Sequence, residues 1–246
     1  MLQLSHAALL DVLEGIEPEN PVPLMLACQQ QYSQYPHPFP ADFLEQLIAQ
    51  TALAINPALS RLVHTGQSGI LVALQMASAC LEDTDTKSVL LGGVDSYQRA
   101  ALLKGLLEEG RIKTAAVLDG YTPGEGTCFI LLTCNKANAI KVDNGATVRI
   151  AAPGFSEEPG HRYSEEPYLG EGLANAVRQA VSSSKDGSIQ NNYSSMNGEG
   201  FWPKELATEQ TRNTAHFRDD DQLMHPADCY GDLAAGQWCN VNCAGG

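Results

Sequence analysis

Val63-His64-Thr65-Gly66-Gln67-Ser68-Gly69-Ile70-Leu71 continues through Ala73-Leu74 and, farther on, reaches Gly92-Gly93-Val94-Asp95-Ser96. Small and polar residues lead into an apolar segment, which predicts a helix from Ser68 to about Leu81, preceded by a tight turn. The head of such a helix matters chemically, because its unpaired amide N–H groups favour a thiolate or a bound oxyanion. Ser88 to Leu91 reads as a short apolar strand running into Gly92 and Gly93.

Outward from this stretch the chain alternates strand and helix signals. Leu2, Leu9, Leu13 and Ile16 repeat at helical spacing over residues 2–16. Pro21 to Cys28 reads as a buried strand. Gln31 to Pro40 is a Pro- and Tyr-rich connection before a helix expected over 41–53. A further helix is expected from Ala100 to Glu109. Asp119-Gly120-Tyr121-Thr122-Pro123-Gly124-Glu125-Gly126 is a turn feeding the strand Cys128-Phe129-Ile130-Leu131-Leu132. The second half repeats the plan. Thr147 to Ala152 is expected as a strand, 154–169 as a polar loop with two Ser-Glu-Glu runs, and Gly170 to Ser182 as a helix. That helix carries Leu173, Ala176, Val177 and Val181 on one face. The alternation predicts an α/β fold, divided into an N-terminal half, 1–145, and a C-terminal half, 146–246, within one compact unit.

The 246 residues are 43% hydrophobic and 18% charged, ordinary values for a folded soluble protein. The formal charge is −14. That argues against nucleic acid, which needs a basic footprint, and against anionic membrane surfaces. No apolar run is long enough to span a bilayer. Met1 to Ile16 is amphipathic with acidic Asp11 and Glu14, unlike a signal peptide with a basic end. Seven scattered cysteines point to reduced thiols and a cytoplasmic setting. Cys239 and Cys243 lack a second ligand pair, so no metal is expected, and no motif calls for a cofactor.

The quoted stretch resembles the β-ketoacyl synthase segment V-x-T-A-C-S-S-S-L-x-A-L and the following strand that ends in G-G-V. The two align without a gap, and Gln67 falls on the cysteine. The turn at 119–126 is similar to the family's D-G-F-x-x-G-E-G-A. The resemblance extends from Ala41 to about Gly236. It implies the thiolase-like fold, two related α/β halves in a layered αβαβα arrangement, here trimmed at both ends. The family has an earlier first strand and a later G-F-G-G-x-N motif, so the chain is either a fragment or a shortened topology.

The family's chemistry needs a thiolate that accepts the acyl chain and leaves again. A glutamine amide does neither. It also needs two histidines. The first belongs to H-G-T-G-T, and the matching stretch is Tyr193-Ser194-Ser195-Met196-Asn197-Gly198-Glu199-Gly200. Its histidine position holds Ser194, Ser195, Met196 or Asn197 according to register. The second belongs to G-H-x-x-G-A-A-G. Ungapped, the histidine becomes Tyr230 and the family's upstream lysine becomes His225. With a two-residue gap the histidine becomes Asp232.

The resemblance therefore places Gln67, His64, Asn197, Tyr230 and Asp232 at a remnant site. Each also has a plainer reading. Gln67 either donates to an acyl carbonyl or satisfies polar groups at a buried helix start. His64 is a base candidate or a structural histidine at a strand end. Tyr230 and Asp232 polarise a ligand, or Asp232 merely caps a helix start. Glu199 is a general base or a solvated loop carboxylate, and Cys28 and Cys229 are nucleophiles or small core residues.

The expected function is a degenerate synthase-like protein that does not condense. It would be a scaffold or partner subunit, or an acyl-ligand-binding module. The alternatives are a synthase-related acyltransferase and a decarboxylase of malonyl thioesters using Gln67. A homodimer, or a heterodimer with a related synthase, is expected. By resemblance Lys87 to Asp95 would lie at or near that interface, where pairing would remove the aggregation hazard of an edge strand.

Overall fold

A computed structural model describes residues 1–14, 16, 18, 20–31, 39–141, 145, 147–151, 153–184, 187–233 and 235. The chain forms two compact units. One comprises Met1–Leu107, Pro123–Val148 and Asp232–Gly246, the other Glu108–Thr122 and Arg149–Gly231.

The first unit contains helices α1 (Leu2–Val12), α2 (Phe43–Thr51) and α3 (Gly69–Asp83), with α4 (Ala100–Glu108) at its boundary. Its strands are β1 (Leu24–Cys28), β2 (Arg61–Val63), β3 (Ser88–Ser96) and β4 (Glu125–Thr133). They form one sheet in the order β2-β1-β3-β4, parallel except for the β3–β4 pair. β1 is buried throughout, as expected of a strand covered on both faces. Alternate residues supply two cores. Leu24, Leu26 and Cys28 join Leu90, Val94, Leu9, Phe43 and Leu47. Met25 and Ala27 join Val63, Val89, Leu91 and the inner face of α3. That face carries Ile70, Ala73, Leu74, Ala77 and Cys80 at helical spacing, so apolar burial against the sheet holds the helix in place.

The second unit contains helices α5 (Gly172–Ser182), α6 (Phe201–Arg212) and α7 (Ala227–Tyr230), with strands β5 (Ile189–Tyr193) and β6 (Phe217–Met224). β5 and β6 form a parallel two-stranded ladder, with a register irregularity between Ile189 and Asn191. The head of α5 is capped from the polar loop before it. The Glu158 carboxylate accepts the N–H groups of Leu169, Glu171 and Gly172. Burial works to raise the Glu158 pKa, but these N–H donors outweigh it and lower it.

Three expectations are corrected. Thr147 to Ala151 is not a strand, and Ala152 lies outside the described residues. Val148 is 71% exposed; β-propensity builds no strand without a neighbour to pair with. The strand expected to reach Gly92 and Gly93 instead runs through them to Ser96, because both glycines pair with β1 and β4. For the same reason Lys87–Asp95 is not a sheet edge. β3 is hydrogen-bonded on both sides, and β2 and β4 form the edges. Backbone pairing of β3 across a dimer is excluded.

Candidate functional site

In the first unit β2 ends at Val63, and the chain passes through His64 and Thr65 into a 3-10 turn, Gly66–Ser68, that opens directly into α3. Gly66 takes φ +61°, and a Cβ there would lie 3.2 Å from Cβ of Gln30. Glycine thus lets the turn fold tightly over the end of β1. The Ser68 hydroxyl braces it by donating to the Thr65 carbonyl at 3.1 Å. Gln67 sits in the middle of this turn, half-buried, with His64 half-buried three residues before it. The glutamine amide is therefore displayed at a helix head beside the C-terminal ends of parallel strands, where α/β folds place their ligands.

Asp232 lies in the same unit and is 2% exposed. Its carbonyl accepts the Gly124 N–H at 2.9 Å, and its backbone bridges Pro123. It is buried beside Asp95 and is not a solvent-facing helix cap. Asp95, fully buried at the end of β3, accepts N–H groups from Ser96 at 2.7 Å and Ala235 at 3.2 Å. Burial pushes the Asp95 carboxyl well above the ordinary range against these two hydrogen bonds, and the Asp232 charge raises it further. Burial first, and the Asp95 charge second, also push the Cys28 thiol up. Cys28 is a core thiol, not an activated nucleophile.

In the second unit the loop between β5 and α6 carries Asn197 and Glu199. Asn197 Oδ1 accepts the Glu199 N–H at 3.1 Å, and Asn197 Nδ2 donates to Glu199 Oε2 at 3.3 Å. Glu199 is 1% exposed. Arg111 donates to it twice, Nε to Oε1 at 2.9 Å and an NH2 nitrogen to Oε2 at 3.0 Å. Arg162 pairs with Oε1 at 2.8 Å, and the Trp202 indole N–H donates to Oε2 at 3.3 Å. Burial works to raise its pKa, but the hydrogen bonds and charge of Arg111, then the charge of Arg162, outweigh it and hold the carboxyl low. Glu199 is thus neither a general base nor a solvated carboxylate. It is an anchor that ties the loop to Arg111.

Arg111 also donates to the Tyr163 hydroxyl at 2.6 Å and lies 5.4 Å from the centroid of the buried Tyr121 ring. Asp119 accepts the Gly200 N–H at the head of α6. Tyr230 closes α7 and is half-buried, and Cys229 beside it is exposed. Ser194 follows β5 and His225 follows β6, and Ser194 Oγ lies 2.8 Å from His225 Nδ1. Gln67, His64 and Asp232 thus belong to one unit, Asn197 and Tyr230 to the other.

The sequence reading missed the Arg111 and Arg162 partners of Glu199 and the Asp95–Asp232 juxtaposition. A signal existed only for Asp95, an acidic residue ending an otherwise apolar strand. Among the described residues no group of three His, Cys, Asp or Glu is arranged to hold a metal ion, and no helix is long and apolar enough to cross a membrane. Cys239 and Cys243 lie outside the described residues.

No family model and no curated protein sequence matches the chain. Solved structures do. The ketosynthase from module 6 of the bacillaene synthase of Bacillus subtilis matches with a TM-score of 0.69 at 16% identity, over 96% of this chain and 44% of that one. An oxazolomycin ketosynthase domain from Streptomyces albus matches with a TM-score of 0.66 at 15% identity, over 96% and 46% of the two chains. A type II polyketide ketosynthase, solved in complex with its acyl-carrier protein, matches with a TM-score of 0.72 at 11% identity, over 99% and 70%. The chain spans less than half the length of the bacillaene and oxazolomycin structures. Over nearly all of its own length, it has the mixed α/β, thiolase-like fold of the ketosynthases.

Proposed function

We propose that this protein is a non-condensing relative of the ketosynthases that acts as a partner subunit or scaffold of a synthase. The observation that carries this reading is Gln67 at the centre of the 3-10 turn heading α3. The resemblance gives that position to the acyl-accepting cysteine, and an amide neither takes up nor releases an acyl group. The other two catalytic positions support the same reading. Asn197 is committed to Glu199, while neither Tyr230 nor the buried Asp232 supplies an imidazole. Cys28, Cys80, Cys128, Cys134 and Cys229 form no disulfide, which is in keeping with a cytoplasmic setting.

Partner choice follows the same logic. One structural neighbour was solved with its acyl-carrier protein, which favours a synthase or its carrier as the partner. The test is native mass spectrometry of the protein alone and co-expressed with a complete ketosynthase and its carrier. A stable heterodimer supports the reading. A lone, empty monomer under every condition overturns it. A retained acyl group would instead identify an acyl-binding module.

A second reading rests on the half-buried Gln67 amide at a helix head. There it would hold a thioester carbonyl during decarboxylation of a malonyl group. Release of carbon dioxide from a malonyl thioester, abolished by Gln67→Ala, would establish it.

A further inference from the structure

Ser194 and His225 are the first residues beyond two neighbouring parallel strands. β5 and β6 are in register at Tyr193 and Met224, so the next residue of each emerges side by side at the C-terminal end of the ladder. The Ser194 N–H donates to the Met224 carbonyl at 3.0 Å, which extends the ladder by one residue and fixes the serine backbone. Its hydroxyl then lies 2.8 Å from His225 Nδ1, closer than the 3.3 Å to the Met224 carbonyl oxygen. The His225 backbone is fixed in turn, since its carbonyl accepts the Asp228 N–H at 3.0 Å at the start of α7. Ser194 is buried, whereas His225 is only half-buried and connects the pair to solvent. A hydroxyl and an imidazole at this separation have the spacing of a nucleophile and its base.

We propose that Ser194 and His225 form an acyl-accepting site that cleaves acyl thioesters and activated esters. With its proton on Nε2, the imidazole accepts the Ser194 proton at Nδ1 as Oγ bonds to the acyl carbon. The carbon–sulfur bond then breaks, and the proton on Nδ1 passes to the departing thiolate. The products are a free thiol and an acyl-serine, which water hydrolyses to the carboxylic acid with His225 again as base. The substrate class follows from the leaving group. A thiolate departs readily, with a conjugate acid near pKa 8.5, whereas an amide nitrogen demands full protonation. The inference is independent of any partner subunit and goes beyond the non-condensing reading.

The test treats the full chain with a fluorophosphonate and, separately, with a short acyl thioester of N-acetylcysteamine, followed by peptide mass spectrometry. The expected result is an adduct on Ser194. His225→Gln should slow it about a hundredfold, the scale of general-base catalysis. Ser194→Ala should abolish it, with the fold of each variant checked by circular dichroism. Absence of a Ser194 adduct on the folded wild-type chain would overturn the proposal. So would equal labelling rates in wild type and His225→Gln, since a merely structural hydrogen bond leaves the serine unreactive.

Discussion

Gly92 faces Phe129 across the β3–β4 ladder, and a Cβ on Gly92 would lie 2.2 Å from Cδ1 of the ring. The aromatic ring occupies the space that any side chain at position 92 would need. Gly92→Ala should therefore destabilise the protein by about 1–3 kcal/mol, the usual cost of overpacking a close-packed interior. A lowered urea midpoint with an unchanged slope would confirm it. Gly110, where no atom lies within 4 Å of a built Cβ, is not such a contact position, although its φ of +66° also strains any side chain.

Glu199→Gln should be more damaging, because it leaves Arg111 buried without its counter-charge. Breaking a buried ion pair from one side costs about 3–5 kcal/mol. The pH dependence has a definite sign. The Glu199 carboxyl is held low in the folded chain, so its contribution is present above the unfolded carboxylate pKa and is lost as pH falls through the folded value. Urea midpoints measured from neutral to acid should fall for wild type, with a shallower fall in Glu199→Gln.

Asp95 behaves oppositely. Its folded pKa is raised, so the stability linked to its proton is fully present below the unfolded value and is lost as pH rises through the folded one. Asp232→Asn removes the neighbouring negative charge. The variant should gain stability relative to wild type as pH increases, a difference readable in paired urea titrations. A gap that stays constant with pH would show that the two carboxyls do not interact.

Glu158→Ala should cost about 0.5–2 kcal/mol, the range for losing a helix cap, because three N–H groups at the head of α5 lose their acceptor. The Glu158 carboxyl is held low, so this contribution is present above the unfolded carboxylate pKa and fades in acid. Circular dichroism and a urea midpoint, compared between neutral and acid pH, would measure it.

What could be read from the residues alone depended on how local the forces were. α3 was legible because Ile70, Ala73, Leu74 and Ala77 repeat at the spacing of one helix face. β1 was legible as an uninterrupted apolar run. The C-terminal part of β3 was not, since glycines normally weaken a strand, and only the Phe129 ring across the ladder accounts for Gly92. β6 gave no apolar signal, because Phe217–Met224 is mostly exposed and carries Asp219, Asp220 and Asp221. The role of Glu199 was hidden for another reason: its first partner, Arg111, lies 88 residues away. The Gln67 turn was legible because its residues are consecutive, whereas the Ser194–His225 hydrogen bond spans 31 residues.

The two ladders should also differ in how their amides exchange with solvent. β1 and β3 are interior strands buried on both faces, so exposing their N–H groups to deuterium requires the first unit to come apart as a whole. Among the described residues β5 and β6 pair only with each other, and parallel pairs are stable chiefly when covered. Both strands are half-buried or exposed along their length, so β5 and β6 form a weaker cooperative segment that opens while β1 and β3 stay closed.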